Sequence, residues 1–319
     1  MSSSGAERGV AVLWLDGELV RADTPHLSVA DRVFQLGDGV FETFRARRGV
    51  VVELGAHLSR LHESAQAIAI RLTLDDRAFE DAIGRLLAAA RLDASGDGGE
   101  PPGDAALRIT VSRGRLEQRG LLPAGWDEVS PTVAIQAWPY VPVPASLLAS
   151  GVRAISSSVR RDPASPLASV KSTSRADHVY ARLEATRAGA DDALFLTPDG
   201  RISEATTANV FAIHGDRLVT PPGRAGALAG TTRAWLLESG AAQEEGLVPL
   251  EADFDPDRLA AADEAFLSST VAGIVPLASL DGRRIASGRP GRRTLALREV
   301  RERWIDERSL EALAARARR

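Results

Sequence analysis

Two charged side chains in the stretch VKSTSRADHVYARLEATRAGADDALFLTPDGRISEATTANVF stand where chemistry and backbone geometry meet. Lys171 precedes an expected helix, and Glu204 follows an expected hairpin. A lysine partly withdrawn from water loses proton affinity and can form an imine with a carbonyl compound. The small, apolar approach LASV ahead of Lys171 favours such withdrawal, although an ordinary surface lysine at a helix start has the same local sequence. Glu204 is followed by four small residues and then Asn209. A carboxylate there could pair with a protonated heterocyclic nitrogen, or could serve the hairpin as a salt-bridge partner.

Three further features have the composition of phosphate sites. Gly230-Thr231-Thr232 opens an expected helix, where unpaired backbone N–H groups and hydroxyls can hold a dianion; an ordinary N-cap looks the same. Ser268-Ser269-Thr270 ends an apolar strand with a run of hydroxyls, as strand-end caps also do. Arg60 lies beside the apolar stripe of another expected helix, either as a fork for phosphate or as a snorkelling surface residue. Together the lysine, the carboxylate, the two hydroxyl runs and the arginine suit one cofactor, a phosphorylated pyridine aldehyde.

The elements that must position these groups can be read from the pattern. Residues 11–21 form two short apolar runs around Asp16-Gly17, a hairpin signature, and FETFRARRGVVVELG turns again at Gly49. Leu58, Leu61, Ala65 and Ile68 recur at helical spacing, and 77–91 predicts another helix. The Gly- and Pro-rich segment 93–105 reads as a surface loop, and ALRITVSRG and PTVAIQAWP as strands. The prolines at 141–144 mark a linker over 141–150, between a smaller α+β domain (11–140) and a larger one (151–319), after a loose tail at 1–10. In the second domain Ala176, Val179, Tyr180 and Leu183 predict an amphipathic helix of about 14 residues from Ser174. DALFLT and ANVFAI read as strands, GTTRAWLLESG as a helix stopped at Gly240, and DEAFLSSTVAGIVPL as a buried strand broken at Gly273. The final stretch is a charged helix with an apolar stripe. The class expected is a two-domain α+β or α/β protein.

Composition narrows the function classes. Over 319 residues, 39 basic and 43 acidic side chains are interspersed, giving a net charge of −4, so no basic face for nucleic acid is implied. With no cysteine there is no disulfide, thiolate metal site or cysteine nucleophile, and nothing calls for a metal. No run reaches the length of a membrane span, and the first ten residues have no apolar signal core, so a cytoplasmic protein is expected.

The chain resembles the fold-type IV pyridoxal-phosphate enzymes, which include branched-chain and D-amino-acid aminotransferases, some amine transaminases and aminodeoxychorismate lyases. The matching blocks are VADRVFQLGDGVFETFR (29–45), HLSRL (57–61), SRG (112–114), 170–196, ISEATTANVF (202–211), LAGTTR (228–233) and DEAFLSSTVAGIVPL (263–277). The resemblance implies a D-amino-acid-aminotransferase-like fold and pyridoxal 5'-phosphate as cofactor. It implies Lys171 as the Schiff-base lysine and Glu204 as partner of the pyridine nitrogen. Arg60, Thr232 and Thr270, with the backbone N–H groups of Thr231 and Val271, would hold the phosphate. Members are usually homodimers, and their partners are a small amino donor and an oxo-acid acceptor.

Departures from the family pattern bear on substrate. Ala205 replaces the usual glycine after the glutamate, Thr231 replaces a frequent isoleucine, and His178 stands where asparagine is common. Phe41 occupies a substrate-facing position that is a tyrosine in D-amino-acid aminotransferases, which argues against that class. Arg113 and Arg119, in SRGRLEQRGLLP, resemble the arginine loop that several members place near the substrate carboxylate. Transamination of an amino acid or amine with a 2-oxo acid is the leading expectation. Release of pyruvate and 4-aminobenzoate from aminodeoxychorismate is the alternative, and an inactive metabolite- or partner-binding scaffold a remote one.

Overall fold

The computed structural model describes residues 12–24, 26–93 and 103–318. The expected tail at 1–10 and most of the loop at 93–105 lie outside the described residues. The chain divides into two compact units. The first comprises residues up to Val141 together with Lys171–Ser174 and Ile305–Arg319, and the second comprises Pro142–Val170 and Arg175–Trp304. The second domain is therefore not the continuous block 151–319 that the proline run suggests.

The first unit contains β1 (Val12–Leu15), β2 (Glu18–Arg21), α1 (Arg32–Leu36), β3 (Gly39–Arg47), β4 (Val50–Val51), α2 (Leu54–Ala67), α3 (Asp76–Ala89), β5 (Ala105–Ser112) and β6 (Thr132–Pro139). Its strands form one antiparallel sheet in the order β2-β1-β6-β5-β3-β4. Two of the turns have left-handed residue pairs, Asp16-Gly17 (φ 46° and 105°) and Arg48-Gly49 (φ 53° and 69°), the twist that a two-residue hairpin needs. Along β5 and β6 every second residue is buried, as a sheet with one covered face requires. The cover comes from α2 on β3 and α3 on β1 and β6, the latter burying Phe79, Ala82, Ile83, Leu86 and Leu87.

The second unit contains α4 (Ala145–Ser150), β7 (Val152–Arg160), α5 (Ala176–Arg187), β8 (Asp192–Leu196), β9 (Ile202–Ala205), β10 (Asn209–His214), β11 (Arg217–Thr220), α6 (Thr231–Glu238), α7 (Ala241–Glu244), β12 (Val248–Glu251), α8 (Pro256–Ala260), β13 (Glu264–Ser269), β14 (Gly273–Leu280), β15 (Arg283–Arg284) and the start of α9 (Arg292–Ala317). A nine-stranded mixed sheet runs β12-β11-β10-β13-β14-β7-β8-β9, with β15 paired to β14. Successive residues of β10 enter two different apolar clusters, Val210 and Ala212 in one, Phe211 and Ile213 in the other. A strand buried on both faces reads as a continuous apolar run, which accounts for VFAI at 210–213.

Three expectations change. The linker 141–150 holds a helix, α4. The strand broken at Gly273 is an antiparallel pair, β13 and β14, around a turn at 270–272 that ends on a left-handed Gly273 (φ 69°). The helix expected from Ser174 begins at Ala176 and buries the other face. His178, Ala181 and Ala185 pack with Ala193 and Phe195, while Val179, Tyr180 and Leu183 are 67%, 49% and 41% exposed. Alanines let α5 approach β7 and β8 closely, so the small residues and not the large ones mark its inner face.

Candidate active site

Lys171 is not at the mouth of its helix. Residues 171–173 run extended along β3: Phe41 N–H donates to the Lys171 carbonyl (3.0 Å), Ser172 bridges Val40, and Thr173 N–H donates to Gly39 O (2.9 Å). The Lys171 N–H donates to Ser64 Oγ on α2 (3.2 Å), and the Thr173 hydroxyl donates to Gly37 O (2.6 Å). The half-buried side chain places Nζ 4.8 Å from the centroid of the buried Phe41 ring. Lys171 is also the single lysine of the chain; every other one of its 39 Lys and Arg residues is an arginine. An arginine cannot lose its proton to become a nucleophile, so Lys171 is the one Lys or Arg side chain of the sequence that can. Counting lysines would have singled out this residue without any motif.

Next to Phe41 on the same strand, Glu42 is fully buried between Arg60 and His57 of α2. Arg60 donates Nε and Nη2 to its two carboxylate oxygens (2.7 and 2.8 Å), and His57 Nδ1 lies 2.9 Å from Oε2. Burial alone would raise the Glu42 carboxyl, but the bonds and charges of Arg60 and His57 outweigh it and hold it at about 2. His57 is pushed below its ordinary value by burial, against the pull of Glu42. Arg60 is thus buried and aimed by Glu42 rather than snorkelling.

Arg113 departs from its expected role at a substrate carboxylate. All three of its guanidinium nitrogens are spent inside the protein: Nε and Nη2 donate to Asp38 (2.8 and 3.1 Å), Nη1 to Ala69 O (2.9 Å) and Nη2 to Ile68 O (2.7 Å). Arg119 is exposed and, among the described residues, makes no hydrogen bond or ion pair. A residue outside the sequence-based expectation takes the vacated interest. Arg108 on β5 sits 3.8 Å above the Phe41 ring centroid and donates Nε to Thr110 Oγ1 (3.1 Å), but among the described residues no carboxylate pairs with it. Burial lowers its proton affinity. It is a guanidinium lacking an anion, and only the β3–β5 register puts it beside Phe41.

In the second unit, Glu204 lies near the end of β9, 6% exposed. Its Oε2 accepts the Leu228 N–H (2.9 Å), and Oε1 lies 3.4 Å from Arg161 Nη2. Arg161 is itself fixed by the carbonyls of Gly226 (3.0 Å) and Ala168 (2.7 Å), a partner that local sequence does not reveal. The segment 226–230 continues into α6. Asn209 Nδ2 donates to Leu228 O (2.8 Å), and a Cβ at Gly230 would meet Asn209 Oδ1 at 2.1 Å, so any larger residue would displace Asn209. α6 then starts without a side-chain cap from Gly230. Around that helix start, Thr231 and Thr270 share a hydroxyl contact of 3.0 Å, and Val271 follows in the half-buried turn. The buried hydroxyl of Thr232 has no hydrogen-bond partner among the described residues. A buried hydroxyl without a partner costs stability unless a ligand satisfies it. Helix-start N–H groups, clustered hydroxyls and an orphaned Thr232 are the donor set that a phosphate group takes, so these residues fit pyridoxal 5'-phosphate.

The sequence model of the family described as Amino-transferase class IV matches residues 39–280. The chain belongs to this family. As a class IV aminotransferase-family protein it is 34% identical to a Methanocaldococcus jannaschii protein provisionally named a branched-chain-amino-acid aminotransferase, over 92% of this chain and 97% of that one. It is 30% identical to the D-alanine aminotransferase of Bacillus licheniformis, over 86% and 90% of the two chains. A solved structure of the branched-chain amino acid aminotransferase from Thermoproteus uzoniensis, with norvaline, superposes with a TM-score of 0.80 at 28% identity, covering 93% of this chain and 95% of that one. The two-domain α+β architecture is that of the fold-type IV enzymes. Among the described residues, no helix is long and apolar enough to cross a membrane.

Proposed function

We propose that this protein uses pyridoxal 5'-phosphate to move an amino group between an amino acid or amine and a 2-oxo acid. The observation that carries the reading is the single lysine, half-buried, strand-paired to β3 and set against Phe41. When bound, the cofactor supplies an electron-withdrawing ring that stabilises charge on the substrate's α carbon. Lys171 would be its attachment point and, as a free amine, would take the proton from that carbon. Glu204 would keep the ring nitrogen protonated. Arg60, the hydroxyls of Thr232 and Thr270, and the N–H groups of Thr231 and Val271 would hold the phosphate.

Arg119 would grip the substrate carboxylate, and Arg108 a further carboxylate of an acceptor such as 2-oxoglutarate. Branched-chain amino acids are the first donors to assay, in line with the names of several relatives. The commitment of Arg113 to Asp38 leaves Arg119, of the two arginines expected at the substrate, to meet a carboxylate. The family resemblance supports a cytoplasmic homodimer.

The deciding experiment is borohydride reduction of the purified protein loaded with cofactor, followed by peptide mapping. Cofactor fixed on Lys171 supports the reading; a Lys171→Ala protein that keeps an unchanged, reducible visible band refutes it. A donor panel with pyruvate or 2-oxoglutarate, run beside an assay for aromatic product from aminodeoxychorismate, separates transferase from lyase.

A further inference from the structure

Arg32 is buried to 2% exposure in the short helix α1, an unusual place for a guanidinium, and all three of its nitrogens are engaged. Nε donates to Asp38 Oδ2 (3.0 Å), Nη1 to Gly120 O (2.9 Å) and Nη2 to Leu121 O. Asp38 also receives Arg113, which reaches on to the carbonyls of Ile68 and Ala69 just after α2. Burial would raise Asp38, but the two arginines hold it below its ordinary value. The cluster therefore stays charged, and its carboxylate joins three separate pieces of chain.

The loop that carries Arg119 is fastened differently at its two ends. Its beginning is held by backbone, through Arg32 N–H to Gly114 O (3.0 Å), Leu116 N–H to Ala30 O (3.3 Å) and the Asp31–Arg115 bridge. Its far end, the residues directly after Arg119, is held by the Arg32 side chain. Asp38 adjoins Gly39, where β3 begins, and β3 in turn carries Phe41 and pairs with Lys171. One continuous set of bonds thus runs from the loop carbonyls through Arg32 and Asp38 to the strand that fixes the lysine.

We infer that Arg32 is a positioning residue for substrate-carboxylate recognition: its guanidinium sets where Arg119 stands relative to β3 and Lys171. The inference rests on the reading of Arg119 given above. Arg32→Lys keeps the charge beside Asp38 but cannot span both loop carbonyls, because an ammonium lacks the planar fork. It should raise KM for amino-acid donors on the order of 10-fold with kcat changed much less, and leave cofactor affinity, the visible band and turnover of an amine donor without a carboxylate unaltered.

The decisive test is a double-mutant cycle with Arg119→Ala, read as kcat/KM on carboxylate and amine donors. If Arg32 acts through Arg119, the double variant equals Arg119→Ala alone. Additive losses, or equal losses on both donor types, would show Arg32 to be a structural residue only and overturn the inference. If Arg119→Ala shows no carboxylate selectivity, the reading of Arg119 fails first and takes the inference with it. Should Arg32→Lys fold poorly, Arg32→Gln, which leaves Asp38 paired with Arg113 and loses the fork on the loop carbonyls, enters the same cycle in its place, with the same outcomes deciding.

Discussion

Lys171 and Phe41 hold each other twice, by a hydrogen bond from the Phe41 N–H to the Lys171 carbonyl (3.0 Å) and by the approach of Nζ to 4.8 Å from the ring centroid. The backbone contact survives any substitution at 41, whereas the ring contact does not. Phe41→Ala is therefore expected to keep the lysine on β3 but release its end, costing about 0.5–2 kcal/mol of side-chain placement. Rates of borohydride-trapped cofactor loading and kcat should both fall, while Phe41→Tyr should keep both near wild type. A Phe41→Ala protein with wild-type kcat would show that the ring does not position the amine.

Arg113 and Arg119 should separate cleanly. Arg119→Ala is expected to lower kcat/KM for carboxylate substrates by about 10- to 150-fold, the loss of one charge-assisted contact of roughly 1.5–3 kcal/mol, with the fold intact. Arg113→Ala removes one of the two partners of Asp38 together with its bonds to Ile68 and Ala69, and should cost about 1–3 kcal/mol of stability, seen as a lower Tm in the absence of any substrate. Selectivity against carboxylates in Arg113→Ala without a stability loss would reverse these assignments.

Thr232 offers a test of cofactor binding that does not pass through activity. Its buried hydroxyl has no partner among the described residues, so Thr232→Val should leave the apoprotein as stable as before or more so. The same change should raise the Kd for pyridoxal 5'-phosphate by about 10-fold or more, measured by fluorescence titration. Equal Kd values in the two proteins would remove Thr232 from the phosphate site.

Stability should depend on pH through Glu42 and His57. The folded carboxyl is held at about 2 against an ordinary 4.5, so its contribution is fully present above 4.5 and is lost as pH falls towards 2. The full effect is about 3 kcal/mol. His57 is depressed as well, so the folded state loses further stability as pH falls below the ordinary 6.5. Tm should therefore decline from near pH 6.5 downward and steepen below 4.5. A Glu42→Gln protein should have a lower Tm at neutral pH and a flatter acid limb; an unchanged acid limb would contradict the assignment.

What the sequence makes legible here is local or strongly ordered. Asp16-Gly17 and Arg48-Gly49 announce their hairpins because the turn geometry is written in two residues. The ordered blocks from Gly39 to the β13–β14 hairpin announce the family. Pairings across long stretches of chain are not legible. Nothing near Arg113 shows that Asp38 will neutralise it, and nothing near Arg108 shows that it will face Phe41 without a carboxylate. The inner face of α5 is hidden for another reason: hydrophobicity ranks Val179, Tyr180 and Leu183 above Ala181 and Ala185, while close helix–sheet packing selects the alanines.

A chain with one lysine has one peptide bond that a lysine-specific protease can cut, the bond between Lys171 and Ser172, and the bridge of Ser172 to Val40 on β3 shields it in the folded protein. In denaturant that protease should split the chain into just two fragments, and cofactor fixed to Lys171 by reduction should prevent even that cut. The ratio of intact to split chain on a gel would then count the occupied sites in any preparation, without spectroscopy and without knowledge of the substrate.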